Sequence, residues 1–269
     1  MADAERGPDF IEALSRGLDV LRSFSAEQPV ATLSEVAQAT GLARPTARRI
    51  LLTLVELGYV RSAQGAYSLT PRVLDLGTAY VGSLGLWDLA RPHLEDLVRQ
   101  TGESSSMAQL DGSDIVYVAR VAVPKLIALR VEIGTRFPVL RTSQGKVLLA
   151  GLPPDEARAA LAVPSRSSVP APPVPSRADL ERLLGEVRSA GWAAADEELA
   201  PGVRSVAVPV HDAAGSVRAT MNVTVHAAET SIQTLVGHHL PLLRAAAAAL
   251  EADWARRGAL PIAQLAEAR

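Results

Sequence analysis

The apolar residues of this 269-residue chain change their period once, near Glu103. Before that point they recur every three or four positions, as on helices. After it they alternate through whole segments, as on strands with one buried face. A single bundle or sheet does not carry both patterns. The change therefore predicts a helical N-terminal part and an α+β C-terminal part.

In the first part, Ile11, Leu14, Leu18 and Leu21 predict an amphipathic helix over residues 10–24. Pro29 breaks the chain. Thr32 with Glu35 three residues on forms a capping-box pattern, so "LSEVAQAT" opens as a short second helix. Gly41 ends it, and Pro45 stands near the start of a third helix that runs to Leu57. "YVRS" and "AYSLT" then alternate around Gln64-Gly65 as a β-hairpin. This order is that of a winged helix-turn-helix.

The third helix raises a question of charge. It places Ala47, Ile50, Leu51 and Leu54 inward, yet crowds Arg44, Arg48 and Arg49 onto its first turns. The first eighty residues hold eight arginines and nine acids, a net of −1. From Arg44 to Arg61, four arginines (44, 48, 49, 61) face only Glu56, a net of +3. A focused patch of this kind suits a phosphate track even in a balanced domain. The residues expected at DNA are Ser34 of the second helix, then Arg44, Pro45, Thr46, Arg48 and Arg49 of the third, and Arg61 of the wing.

"TPRVLDLGTAYVGSLGLWDLARPHLEDLVRQTG" reads as linker-helix material, weakened at Gly77, Gly82 and Gly85, with a helix from about Trp87 to Gln100. Beyond it, "SSSMAQLDG", "DIVYVARV", "LIALRVEIG", "SVAVPVHD" and "SVRATMNVTV" are expected strands. Helices are expected at Thr142 to Gly151 and Arg177 to Ala190, and "VPSRSSVPAPPVPSR" as a surface loop. A last helix carries Ile232, Val236, His239, Leu243, Ala246 and Leu250 as one stripe, with a kink at Pro241, and is expected to help bury oligomer surface. The expected boundaries are a DNA-binding domain over 8–72, linker helices over 73–101, an α+β domain over 102–257 and a tail over 258–269.

Other chemistries find little support. There is no cysteine, which removes disulfides, thiol catalysis and thiolate metal sites. "TSQGKV" fails as a phosphate loop, because Leu140 stands where the first glycine is required and Val147 follows the lysine. No G-x-S-x-G elbow occurs. His238 and His239 diverge by about 100° on a helix and make a poor metal pair. Asp196, Glu197 and Glu198 read as a solvated turn or ion-pair partners. No enzyme, cofactor or metal is expected. A polar, acidic start and the lack of any apolar run near 18 residues predict a cytoplasmic chain outside the membrane.

Taken together, "SRGLDVLRSF", "LSEVAQATGLARPTARRILLTLVELGYV", "DIVYVARV", "TSQGKVLLAGL" and "ATMNVTV", in this order, resemble the IclR family of bacterial transcriptional regulators. "FIEALSRGLDVLRSF" and "GSLGLWDLARPHLEDL" are similar to its branch controlling protocatechuate, hydroxybenzoate and β-ketoadipate catabolism. The resemblance implies a winged helix-turn-helix joined to a GAF-like effector domain with a mostly antiparallel sheet. It implies a repressor or dual regulator that forms dimers through its N-terminal domains, and often tetramers, on operator DNA.

The strand "SVRATMNVTV" alternates cleanly. Val217, Ala219, Met221, Val223 and Val225 share one face; Arg218, Thr220, Asn222 and Thr224 share the other. Periodicity leaves the polar face open as solvent or pocket. The resemblance implies a pocket: Asn222, Thr224, Ser205, Ser143 and Gln144 match effector contacts of relatives. Arg141, just before the helix, is either a carboxylate ligand or a solvated cation. Ala195 stands where some relatives carry an acidic contact. The expected effector is a small carboxylic acid, 4-hydroxybenzoate or protocatechuate in type. A non-aromatic acid, or a protein partner sensed by the C-terminal domain, are the alternatives.

Overall fold

The computed structural model describes residues 7–25, 27–77, 86–124 and 131–258. The chain divides into two compact units, Met1–Ser83 and Leu84–Arg269.

The N-terminal unit holds α1 (Glu12–Arg22), α2 (Leu33–Thr40) and α3 (Arg44–Glu56). Beside them lies an antiparallel sheet of β1 (Val30–Thr32), β2 (Val60–Ala63) and β3 (Ala66–Leu69), ordered β1-β3-β2. The capping box forms: Thr32 Oγ1 accepts the Glu35 N–H at 3.3 Å, and the Glu35 carboxylate accepts the Thr32 N–H at 2.6 Å. The Thr32 N–H and, at 2.8 Å, the Thr32 hydroxyl both donate to the Glu35 carboxylate and hold its carboxyl below the ordinary range. Gly41 closes α2 at φ 67°. Gln64 and Gly65 both take positive φ, as a two-residue turn matching the strand twist requires. The core is Val20, Phe24, Val36, Leu51, Leu54 and Val60.

Two features of this unit differ from expectation. β1 pairs with β3 although only three residues long, too short for alternation to show. The α1 stripe meets the core only at Leu21: Ile11, Leu14 and Leu18 are exposed, and Val20 is the buried residue of the helix. Spacing tells that a helix has an apolar side, not what covers it.

The C-terminal unit begins with α4 (Leu86–Thr101). Six strands follow: β4 (Ser104–Asp111), β5 (Asp114–Val121), β6 (Arg136–Pro138), β7 (Ala193–Asp196), β8 (Val203–His211) and β9 (Val217–His226). They form one antiparallel sheet, ordered β6-β5-β4-β9-β8-β7. Between β6 and β7 lie α5 (Ser143–Ala150), α6 (Pro154–Ala162) and α7 (Arg177–Ala190). The chain ends in α8 (Leu240–Gly258), reached through a helical turn at Ile232–Thr234 and a π turn at Leu235–His239. α5 lies on one face of the sheet and packs against α7; α4 and α8 pack together against strands of the sheet.

The stretch expected as a linker is divided. Residues 71–77 are helical in the N-terminal unit, and α4 buries Leu86, Trp87, Ala90, Leu94 and Leu97 in the C-terminal one. Gly82, Gly85 and most of the tail lie outside the described residues, as does 126–130 of the expected strand "LIALRVEIG"; its remainder, 131–134, is loop and turn. β6, β7 and α6 went unpredicted, since "AAAD" and "RFP" are too short or too uniform to alternate.

The last helix corrects another expectation. The π turn adds a residue to one turn just before Pro241, where a kink was expected. It re-phases the stripe: Leu235, His239, Leu243, Ala247 and Leu250 are buried, while Ile232, Val236 and Ala246 are only half-buried. The buried stripe meets α4 and β8 of its own chain. Its buried members are thus covered within the chain itself.

Candidate functional site

Two places carry functional side chains, one in each unit. In the first, α3 opens on Ala43, which makes no side-chain cap, and its first turn holds no acid. The N-terminal peptide N–H groups and the positive end of the helix dipole thus meet Arg44, Arg48 and Arg49 at one exposed end. None of the three has an acidic partner among the described residues. Pro45 is also exposed, and Thr46 half-buried. Ser34 lies exposed in the first turn of α2. Arg61 stands on the wing, its Nε donating to Ser68 Oγ at 2.8 Å.

In the second unit, strand register decides which side chains meet. β4 and β9 pair Ser106 with Asn222 and Ser104 with Thr224; β8 and β9 pair Ala207 with Asn222 and Ser205 with Thr224. Ser104, Ser106, Ser205, Asn222 and Thr224 therefore share one sheet face. α5 lies across it and contributes Ser143 and Gln144, both buried. Ala195 and Ala207 keep that face low. Gly145 lets the helix descend: a Cβ there would sit 2.2 Å from the Val139 carbonyl oxygen.

Buried polar groups need partners, and most find them in one another. Ser143 Oγ and Ser205 Oγ lie 2.7 Å apart. Asn222 Nδ2 donates to Thr224 Oγ1 at 2.9 Å, while Asn222 Oδ1 accepts the Ser106 N–H at 3.1 Å. Gln144 Nε2 makes two long bonds of 3.4 Å, to the Ser106 and Thr220 carbonyls, and its Oε1 is buried with no partner. Lys146, mostly buried, donates to the Ala194 carbonyl at 3.0 Å and to Glu198 Oε1 at 2.6 Å. Asp196 and Glu197 pair with Arg204, so the acidic run consists of ion-pair partners.

The structure brings all six expected effector residues to the walls of one small cavity. Arg141 reaches it differently from the others: Nε donates to the Pro170 carbonyl at 2.7 Å and Nη1 to the Glu198 carbonyl at 2.9 Å, tying the proline-rich loop down. The cavity also has two residues that sequence reasoning missed, Tyr117 and Arg120 of β5. On a regular strand, residues three apart face opposite ways. A β-bulge corrects this. Ala119 pairs with Met107 and Tyr117 with Ala108, so Val118 is an extra residue and the alternation resets. Arg120 Nη1 donates to Ser106 Oγ at 3.0 Å, and its Nε is buried without a partner. Burial pulls the Arg120 guanidinium below its ordinary value, and pushes the Tyr117 phenol up to about 12.

The free space is about 30 Å³, well below the roughly 300 Å³ at which small-molecule pockets begin. A hollow of about 730 Å³ lies beside His211 and Trp254, but it is open, and alanines make up half of its lining. Convergent polar groups, not volume, single out the smaller cavity. Among the described residues no cluster of metal-binding side chains occurs, and no helix is long and apolar enough to cross a membrane.

Residues 78–252 match the family model of the bacterial transcriptional regulator IclR C-terminal domain, and residues 13–63 match the IclR helix-turn-helix domain. The chain belongs to the IclR family. It is accordingly a DNA-binding transcriptional regulator and not an enzyme. It is 39% identical over 243 residues to the Pca regulon regulatory protein of Pseudomonas putida, covering 89% of this chain and 82% of that one. It is 32% identical over 244 residues to the p-hydroxybenzoate hydroxylase transcriptional activator of Acinetobacter baylyi, covering 89% and 90%. The crystal structure of an IclR homologue from Microbacterium hydrocarbonoxydans, complexed with 4-hydroxybenzoate, superposes with a TM-score of 0.76 at 25% identity, covering 90% and 98%.

Gly145 is the residue on which this IclR-family cavity depends. Gly145→Ala should lower stability by about 1–3 kcal/mol, because the added methyl forces α5 off the Val139 backbone. Urea denaturation of the purified chain measures this, and an unchanged midpoint would mean the close approach carries no constraint.

Proposed function

We propose that this regulator controls genes of aromatic-acid catabolism, and that a small aromatic carboxylic acid of the 4-hydroxybenzoate or protocatechuate type binds the cavity under α5. One observation carries the reading: hydroxyls and amides from β8, β9 and α5 converge on a buried space inside an otherwise apolar domain. The relatives named as a Pca regulon regulatory protein and a p-hydroxybenzoate hydroxylase transcriptional activator support it. So does the 4-hydroxybenzoate complex of a structural neighbour. Binding exchanges the internal Ser143–Ser205 and Asn222–Thr224 bonds for bonds to the ligand, so few polar groups lose a partner. The cavity widens as the ligand enters. Asn222→Leu should weaken binding at least tenfold. Calorimetry with 4-hydroxybenzoate, protocatechuate and simple aliphatic acids decides it. No binding to the native chain below millimolar concentration sinks the aromatic-acid reading, and preference for an aliphatic acid favours the other carboxylate class.

The DNA contacts follow from α3. Arg44, Arg48 and Arg49, with Thr46, enter the major groove beside Pro45. Ser34 and Arg61 meet the backbone on either side. Removal of Arg48 or Arg49 should cost about 1–3 kcal/mol at a specific operator if it reads a base; if it meets phosphate, affinity falls less and the salt slope becomes shallower. Gel-shift titrations at several salt concentrations distinguish these. A folded Arg48→Ala/Arg49→Ala chain with native affinity would take this helix out of the groove.

Two copies present two such helices to a pseudo-palindromic operator in the cytoplasm. The dimer face is the apolar groove of about 630 Å³ between α1 and α3. Leu14, Leu18, Leu57 and Leu76 stand exposed around it, more apolar surface than a lone domain ordinarily leaves wet. Light scattering should show a dimer or larger assembly for the native chain and a smaller species for Leu14→Asp/Leu18→Asp. A native monomer that binds the operator intact would argue against this face.

A further inference from the structure

The cavity has two unlike ends. At the β5 end stands Arg120. At the β8 end the Ser143 and Ser205 hydroxyls meet at 2.7 Å. In the sheet order β5-β4-β9-β8, these ends are three strand spacings apart, about 14 Å between backbones at about 4.8 Å per strand. Asn222 and Thr224, on β9, lie between them.

Arg120 is unusual among the described arginines of this unit in joining partial burial, with one donor unpartnered, to the lack of an acid; Arg158, Arg166, Arg188 and Arg244 also lack one but are exposed. Arg136, Arg177, Arg182, Arg204, Arg218 and Arg256 all pair with carboxylates. Arg120 has no acidic partner among the described residues; its one hydrogen bond to them is to a serine hydroxyl. Its Nε is out of water and donates to nothing. A guanidinium stays protonated at any physiological pH. Burying that charge beside a neutral hydroxyl alone is costly, and an anion placed on the open donors offsets the cost. Arg141, the cation suggested by its place before α5, already has two donors on the Pro170 and Glu198 carbonyls. It ties down the proline-rich loop and the turn at Glu198, whose neighbour Leu199 lines the cavity.

We infer that Arg120 is the residue that selects an anionic effector: its guanidinium takes the carboxylate of the bound acid, which lies across β4 and β9 with its hydroxyl-bearing end toward Ser143 and Ser205. The bulge at Val118 is what supplies this contact, since without the extra residue Arg120 would point away from Tyr117 and the cavity. A planar fork also fits a carboxylate in a way that a lysine's point charge does not. The inference rests on the effector reading above and adds to it a specificity residue and an orientation.

The test uses the full chain with two ligands of one shape, 4-hydroxybenzoate and its neutral amide, 4-hydroxybenzamide, in calorimetry. The native chain should prefer the acid at least tenfold. Arg120→Gln should cost the acid at least tenfold while changing amide affinity less than threefold, and Arg120→Lys should fall between. Equal losses for acid and amide would reduce Arg120 to a packing role and overturn the inference. So would equal acid affinity in native and Arg120→Gln chains, an outcome that leaves the aromatic-acid reading standing. The native chain's own acid-to-amide ratio needs no variant, so a poorly folded substitution does not protect the idea: a ratio near one overturns it. If the native chain binds neither ligand, the effector reading itself fails, and this inference with it.

Discussion

A helix pressed onto a sheet face made of hydroxyls and amides is the constraint on which the C-terminal unit depends. Such groups cannot be left unbonded in the interior, because each unpaired one costs about 1–3 kcal/mol. The fold meets the cost by pairing them with one another: Ser143 with Ser205, and Asn222 with both Thr224 and Ser106. The arrangement works only at short range. Gly145 brings α5 down onto the Val139 backbone, and Ala195 and Ala207 leave space on the facing strands. What remains unpaired, Gln144 Oε1 and Arg120 Nε, marks where the pairing is incomplete.

The DNA-binding unit uses charge in the opposite way. Arg44, Arg48 and Arg49 are in water, where a cation is cheap to keep, and they have no acidic partner among the described residues. The local excess over Arg44–Arg61 persists within a unit that is close to neutral as a whole. Attraction to phosphate is therefore focused on one helix end, and screened by salt beyond about 10 Å.

On the effector reading proposed above, a response to binding in this cavity needs a difference in effector affinity between two arrangements of the C-terminal unit. Packing within the C-terminal unit supplies a route. β8 carries Ser205 toward the cavity and contacts α8, and α8 packs on α4. His93 of α4 and Asp253 of α8 lie 2.8 Å apart, beside the apolar seam of Trp87, Leu94 and Leu97. α4 is thus packed within the C-terminal unit against both the sheet and α8.

Much of this was legible from residue order alone, where local rules suffice. Thr32 with Glu35, Gly41, Pro45 and Gln64-Gly65 specify their turns and caps through backbone preferences that need no distant partner. The alternation over Val217–Val225 likewise declared the polar row holding Asn222 and Thr224. Tertiary structure decided the rest. Ile11, Leu14 and Leu18 form an apolar side, but only packing shows that Val20 and Phe24 hold the core and leave that side exposed. A π turn re-phased the last helix and turned its stripe inward, and a bulge at Val118 brought Arg120 to the face of Tyr117. Both devices insert one residue into a regular period. Sequence periodicity assumes that period is unbroken; whether an insertion occurs, and where, is set by the neighbouring strands and helices that must still be packed.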